Sequence, residues 1–214
     1  MNHENRKGFF PMRNLIALCS LSLLALVGSV TAKADSCNGF ANNLVSNCSF
    51  ETGSFSSWSG TVLTDTYSEV STVDPVNQSG PYVGTQQALL ATFDATGTLS
   101  ETLSTVAGQQ YSIEFALAND LASGMGYLNS LVASFGTATL LSETNVGAGT
   151  YKLYSYSVTA TGSSTALTFT DRNDGGDFQL DSVSVAATPE PSSLLLMGTG
   201  LLGALGVARR RLQA

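Results

Sequence analysis

Tyr111-Ser112-Ile113-Glu114-Phe115-Ala116-Leu117 decides the fold. The apolar side chains at 111, 113, 115 and 117 alternate with polar or small ones. Successive side chains of a strand point to opposite faces, so a period of two predicts a half-buried β-strand. The pattern recurs outward from it, at Leu131, Ala133 and Phe135, at Tyr154, Tyr156, Val158 and Ala160, and at Leu167 and Phe169. Residues 60–66, 86–93, 99–106, 139–144 and 178–185 are further candidate strands. Turn signals separate them, among them Gly80-Pro81, Ala95-Thr96-Gly97, Gly108 and Asp174-Gly175-Gly176. Residues 118–129, with Gly124 and Gly126, read as a loop or one helical turn. Many short strands at regular spacing predict an all-β fold, a sandwich or barrel.

The last strand changes phase. Phe178 and Leu180 share one face, whereas Val183 and Val185 share the other. A β-bulge at Asp181-Ser182 would reconcile the two and re-aim the Asp181 side chain.

Both ends of the chain differ from this body. Arg6, Lys7 and Arg13 precede an apolar stretch at 15–30 and an Ala32-Lys33-Ala34 cleavage site. Residues 1–34 therefore read as a secretory signal peptide with an apolar helix. At the other end Pro189-Glu190-Pro191 precedes an uncharged Leu- and Gly-rich run at 192–208, and Arg209-Arg210-Arg211 follows it. As a helix that run would extend about 25 Å, the short end for a bilayer core. It is expected to be a transmembrane helix, with the arginines on the cytoplasmic side and the body outside. Proline lacks the N–H that a ladder needs, so Pro189 and Pro191 end the strand pattern. Residues 35–187 remain as one domain, large enough for its own core.

Charge and residue inventory exclude several functions. The body holds two basic residues, Lys152 and Arg172, against fourteen acidic ones, a net charge of −12. Such a surface repels phosphates, which excludes nucleic acid and anionic lipid as partners. The only histidine of the chain is His3, in the signal segment. The body therefore has no Ser-His-Asp triad, no Cys-His pair and no His-ligated zinc. Cys37 and Cys48 are expected to form a disulfide, since the chain is exported; a free or metal-binding pair is the other reading.

Other candidate sites have two readings each. Asp171-Arg172-Asn173-Asp174-Gly175-Gly176-Asp177 has the composition of a cation-binding loop but lacks the downstream Glu of an EF-hand. The simpler reading is a polar hairpin loop between the last two strands. Trp58, Tyr67, Tyr82 and Tyr127 lie in or near loops, where aromatic rings can stack on sugar faces. Tyr82 and Tyr127 are the stronger platform candidates, while Trp58 follows Phe55 in a segment that also suits the core. Glu51, Glu69, Glu101, Glu114 and Glu143 are scattered, without a basic neighbour to tune a catalytic pair, and the chain is not expected to be an enzyme.

Two resemblances add to this reading. Thr188 to Arg211, with Pro189, Glu190 and Pro191, the apolar run and Arg209, Arg210 and Arg211, resembles the PEP-CTERM sorting signal. That resemblance implies processing by an exosortase in a Gram-negative bacterium that makes exopolysaccharide. The sorting signal at 188–214, through its membrane helix, would then be a transient inner-membrane anchor, and the body would reach the cell surface or extracellular matrix. The second resemblance rests on Asn47-Cys48-Ser49-Phe50-Glu51-Thr52-Gly53 with Phe55 and Trp58, on Gly108 with Tyr111, Ile113 and Phe115, and on Phe178 through Val185. These segments are similar to the opening, middle and closing of jelly-roll β-sandwiches of the carbohydrate-binding-module and galactose-binding-like type. The resemblance implies a structural calcium held by Glu51 and Asp181, with one ligand missing because Ser182 stands where relatives carry Asp. The expected function is that of a non-catalytic surface or matrix protein with weak carbohydrate contact. The alternatives are a purely structural or adhesive protein and a carboxylate-dependent glycoside hydrolase.

Overall fold

Nine strands among the described residues, several of them alternating inward and outward side chains, build two antiparallel sheets packed face to face. This computed structural model describes residues 42–75, 77–120 and 126–189, together with 199, 200, 202 and 209. The chain divides into residues 1–33 and 34–214, and the first unit, with the expected signal peptide, lies outside the described residues. The strands are β1 (Glu69–Ser71), β2 (Gln87–Leu90), β3 (Gly97–Ser104), β4 (Gln110–Asn119), β5 (Asn129–Phe135), β6 (Ala138–Thr144), β7 (Gly149–Thr159), β8 (Ser164–Asn173) and β9 (Phe178–Ala187). One sheet runs β1-β2-β9-β4-β7 and the other β3-β8-β5-β6. This all-β sandwich is consistent with a jelly roll.

The decisive stretch is the middle of β4. Tyr111, Ile113, Phe115 and Leu117 all face the core. Phe115 stacks on Tyr154 at 5.5 Å and meets Phe169 of the other sheet edge-on at 5.1 Å. A sandwich core requires such interdigitation of inward residues from both sheets. The expected bulge is present. β9 pairs Ser184 with Glu114 but Asp181 with Ala116, so three steps on β9 oppose two on β4. Ser182 takes φ 54, and the phase change lets Phe178, Leu180, Val183 and Val185 all join one core.

Two expectations for the strands and loops do not hold. Residues 60–66 are not a strand; Thr61–Thr64 form a 3-10 turn. Only Val62 of that turn is buried, and Ser59 alone pairs, with Ser100. Gly60 is at φ 131, and a Cβ there would strike the Thr98 carbonyl, so the chain turns away instead of continuing the ladder. The loop between β8 and β9 is also not a hairpin loop. β8 pairs with β3 and β5, whereas β9 pairs with β2 and β4, so Asp174 to Asp177 carry the chain from one sheet to the other.

The five-stranded sheet is covered on its outer side as well. β2 is buried on both faces and β9 along most of its length. Gln87, Leu89, Gln179 and Asp181 alternate with the core residues of these strands and are themselves buried. The β1–β2 connection supplies the cover. Val83 N–H donates to Asp181 Oδ2 at 2.9 Å, and Ser79 Oγ–H to Gln179 Oε1 at 2.9 Å. Gln87 Nε2 donates to the Ser79 carbonyl, and Tyr151 of β7 donates its hydroxyl to Gln87 Oε1. This connection, lying across the sheet, creates the site described next.

β9 ends at Ala187, two residues before Pro189. Among the described residues no helix is long and apolar enough to cross a membrane. Glu190, Pro191, Arg210, Arg211 and most of the expected membrane run lie outside the described residues. Thr199, Gly200, Leu202 and Arg209 are helical.

Candidate functional site

Three aspartates from distant parts of the chain converge at one end of the covered sheet. Asp74 opens the β1–β2 connection, Asp120 follows the end of β4, and Asp177 precedes β9. One carboxylate oxygen of each lies within 4.8 Å of the others, and all three residues are buried. Local chemistry fixes them. Asp74 starts a turn: its N–H donates to the Ser79 carbonyl at 2.8 Å, and its Oδ1 accepts the Asn77 N–H at 3.2 Å. Short Asp side chains bond their own backbone this way, which is why Asp favours turns. Gln179 Nε2 donates to Asp74 Oδ2. Asp120 and Asp177 are tied to each other twice through the main chain: Asp120 N–H donates to the Asp177 carbonyl at 3.2 Å, and Asp177 N–H donates to Asp120 Oδ1 at 2.6 Å.

One oxygen each of Asp120 and Asp177 is orphaned. Asp120 Oδ2 and Asp177 Oδ1 are buried without a hydrogen-bond partner, and so is Asn173 Oδ1 nearby in sequence. Burial raises the Asp177 carboxyl to about 8, with the Asp120 and Asp74 charges adding to the effect. Burial also raises Asp120, with the Asp74 charge acting in the same direction against the Asp177 N–H bond. A low-dielectric site with several like charges disfavours ionisation of each. The only ion pairs among the described residues lie elsewhere, between Arg172 and Asp94 at 3.1 Å and Asp174 at 2.8 Å. Arg172 holds Asp174 below the usual carboxylate range.

Two clefts flank the cluster. Asp177 lines one of about 230 Å³ together with Asn173, Gly175, Pro75, Tyr67 and Phe93. Tyr67 and Phe93 are 63% and 55% exposed and meet edge to face at 6.2 Å, a pair of apolar rings beside a polar wall. Asp120 lines the second cleft, of about 470 Å³, with Asn77, Ser79, Thr150, Tyr151 and Gln179. Tyr151 there is shifted upward by burial and by the charges of Asp181, Asp177 and Asp74, so its hydroxyl stays a donor.

Residues singled out from sequence fall in several places. Glu51 accepts the Thr85 N–H at 2.7 Å and the Gln86 N–H at 2.9 Å, and its Oε2 accepts the Thr85 hydroxyl at 2.8 Å. Asp181, re-aimed by the bulge, accepts the N–H groups of Val83 and Ser182. Both therefore anchor the β1–β2 connection. Trp58 is 5% exposed and stacks on Phe50 at 5.6 Å, so of its two possible roles it takes the core one. Tyr82 and Tyr127 are exposed, Tyr82 leaning on Tyr151 at 5.6 Å. Cys48 is buried and disulfide-bonded, and Cys37 lies outside the described residues. Asp74, Asp120 and Phe93 carry no signal in sequence, whereas Asp177 belongs to the acidic loop whose composition suits a cation.

The body ends where the tail begins. Residues 187–211 match the profile of the PEP-CTERM protein-sorting motif. The match starts at Ala187, the last residue of β9, so sandwich and motif abut. The motif indicates an exported protein sorted by an exosortase. No curated protein matches the chain. Among solved structures, the body is similar to TmCBM61 in complex with β-1,4-galactotriose, at 19% identity, over 69% of this chain and 100% of that one, with a TM-score of 0.49. It is similar to a family 16 carbohydrate-binding module at 15% identity, over 67% and 99%, with a TM-score of 0.45. It is also similar to the K1 cleaved adhesin domain of Lys-gingipain from Porphyromonas gingivalis W83, at 15% identity, over 66% and 96%, with a TM-score of 0.46.

Proposed function

We propose that this chain is a non-catalytic protein of the cell surface or extracellular matrix of a Gram-negative bacterium, and that it makes weak contact with exopolysaccharide. The sorting motif at 187–211 carries the location part. Exosortase and the secretion machinery are its partners during sorting, and the apolar tail is a temporary inner-membrane anchor. The exposed Tyr67–Phe93 pair carries the binding part. Two rings beside Asp174 and the Gly175 and Gly176 backbone offer an apolar face and polar groups in one cleft. A pyranose presents the matching surfaces, C–H on its faces and hydroxyls on its rim. The cleft is small and open, so the contact is weak and gains from many copies on a surface. The surrounding acidity favours neutral sugars over phosphorylated ones.

Affinity electrophoresis of the folded body through gels containing the producer's exopolysaccharide tests this. Retardation that is lost in Tyr67→Ala and Phe93→Ala supports it. Unretarded migration in every polysaccharide leaves a structural or adhesive surface protein. Fractionation tests the address: an intact chain recovered from the cytosol with both ends uncut would overturn it.

A hydrolase would need a carboxylate pair within reach of a glycosidic oxygen. Asp120 and Asp177 are close enough to each other, but the unpartnered oxygens Asp120 Oδ2 and Asp177 Oδ1 are buried. The geometry therefore supports binding over cleavage.

A further inference from the structure

We propose that Asp74, Asp120 and Asp177 bind one divalent cation of the calcium type, which ties the β1–β2 connection to the ends of β4 and β9. Calcium takes six to eight oxygens at roughly 2.3–2.6 Å, so ligand oxygens around one ion lie up to about 5 Å apart. The three carboxylates fall within that spacing, with one oxygen from each inside 4.8 Å of the others.

The second observation is independent of the clustering. Asp120 Oδ2 and Asp177 Oδ1 are buried acceptors with no donor, in residues only 9% and 4% exposed. An orphaned buried carboxylate oxygen is costly, and native proteins satisfy such groups with a donor, a water or an ion. The body's two bases do not serve here. Arg172 is committed to Asp94 and Asp174, and Lys152 lines a different cleft beside Glu143. Asn173 Oδ1, the third orphaned acceptor, lines the same cleft as Asp177 and adds a neutral oxygen close by.

The backbone is shaped around these oxygens. A Cβ at residue 176 would collide with Asp120 Oδ1, so glycine is needed where the Asp177 N–H reaches that atom. The main chain thereby holds one oxygen of Asp120 and leaves the other for a ligand. The donor set selects the ion. It is all oxygen, with no imidazole or thiolate, which favours a hard cation over zinc or copper. Three donors from three separate segments suit the irregular shell of calcium better than the octahedron of magnesium. This proposal does not depend on the glycan reading.

Thermal unfolding of the purified full chain at pH 7, in calcium chloride and in EDTA, tests it. Calcium at about 100-fold above its Kd is expected to raise Tm on the order of 5–10 °C. Asp177→Asn and Asp120→Asn are expected to abolish that rise while melting no lower than the wild type in EDTA, because each removes a buried like charge. Glu51→Gln is expected to retain the rise. Equal melting in calcium and EDTA would overturn the proposal and leave carboxyls held neutral by protons. A calcium response lost in Glu51→Gln but kept in Asp177→Asn would also overturn it, by placing the ion at Glu51 and Asp181.

Discussion

The Val83 N–H donates to Asp181 Oδ2 across 2.9 Å, and this bond fastens the β1–β2 connection to the middle of β9. It exists because of the bulge. Ser182 at φ 54 inserts one extra residue, and Asp181 then points out of the sheet towards the connection. Asp181→Ala would leave the part-buried Val83 N–H and the buried Ser182 N–H without an acceptor. Hydrogen bonds to a charged group contribute about 1.5–3 kcal/mol each, so the expected loss is about 3–6 kcal/mol. Urea unfolding of wild type and variant measures it, and a loss below 1 kcal/mol would show that the connection holds without this bond.

Stability is expected to fall as pH rises. Burial raises Asp181 to about 7, opposed by the N–H bonds of Val83 and Ser182, and burial likewise raises Asp171. The unfolded chain titrates near the ordinary Asp value of about 3.9. The folded state thus binds protons more tightly, and the contribution is full below that value and lost as pH climbs through about 7 for Asp181. Melting curves in EDTA from pH 4 to 8 should shift downward across that window. An upward shift over the same range would contradict the burial of these carboxyls.

Ser182 itself offers a sharper test of the bulge. A left-handed residue inside a strand is disfavoured for side chains with a Cβ, and most for β-branched ones. Ser182→Val puts a strong strand former at φ 54 and is expected to cost about 1–3 kcal/mol. Ser182→Gly is expected to be neutral or stabilising by less than 1 kcal/mol. Regular pairing at this point would give the reverse order, so the two variants measured together by denaturant unfolding decide it.

The bulge was legible in the sequence, because Phe178 and Leu180 are out of phase with Val183 and Val185 and only an inserted residue lets all four reach one core. The strands were legible for the same reason: Tyr111, Ile113, Phe115 and Leu117 of β4, and Leu131, Ala133 and Phe135 of β5, recur at every second residue. β1 was not, since Glu69–Ser71 is three residues at a sheet edge with no buried face. The connection from β8 to β9 resembled a hairpin because turn residues fix a change of direction, not the sheet that the next strand joins. The aspartate cluster was the least legible feature. Asp120 and Asp177 are 57 residues apart, and Asp74 and Gln179 are 105 apart. Asp74 and Asp120 are isolated acids in their own segments, Asp177 sits in an acidic loop whose partners cannot be read locally, and only the sandwich topology brings the three together.

Trp58 separates core from platform. Its ring stacks on Phe50 at 5.6 Å and leans on Phe169 at 6.2 Å. Truncating a buried aromatic costs about 3–5 kcal/mol, so Trp58→Ala should lower stability by that order. Polysaccharide retardation per folded molecule should be unchanged, in contrast to Tyr67→Ala, which should spare stability because its ring is exposed. Loss of retardation with unchanged melting in Trp58→Ala would reverse the two roles.

Gly176 and Gly80 make a matched pair. A Cβ at Gly80 meets nothing within 4 Å, whereas one at Gly176 meets the Asp120 carboxylate. Asp120 has little room to retreat, since its Oδ1 accepts the Asp177 N–H at 2.6 Å and its Oδ2 is buried. Overpacking a filled site typically costs about 1–3 kcal/mol, and Gly176→Ala should fall in that range. Gly80→Ala should be neutral, or stabilising by up to about 1 kcal/mol through the unfolded chain. If the aspartates hold calcium, Gly176→Ala also displaces a ligand, so its deficit in urea unfolding should be larger in calcium than in EDTA. An equal deficit in both buffers would mean that the Gly176 contact serves packing alone.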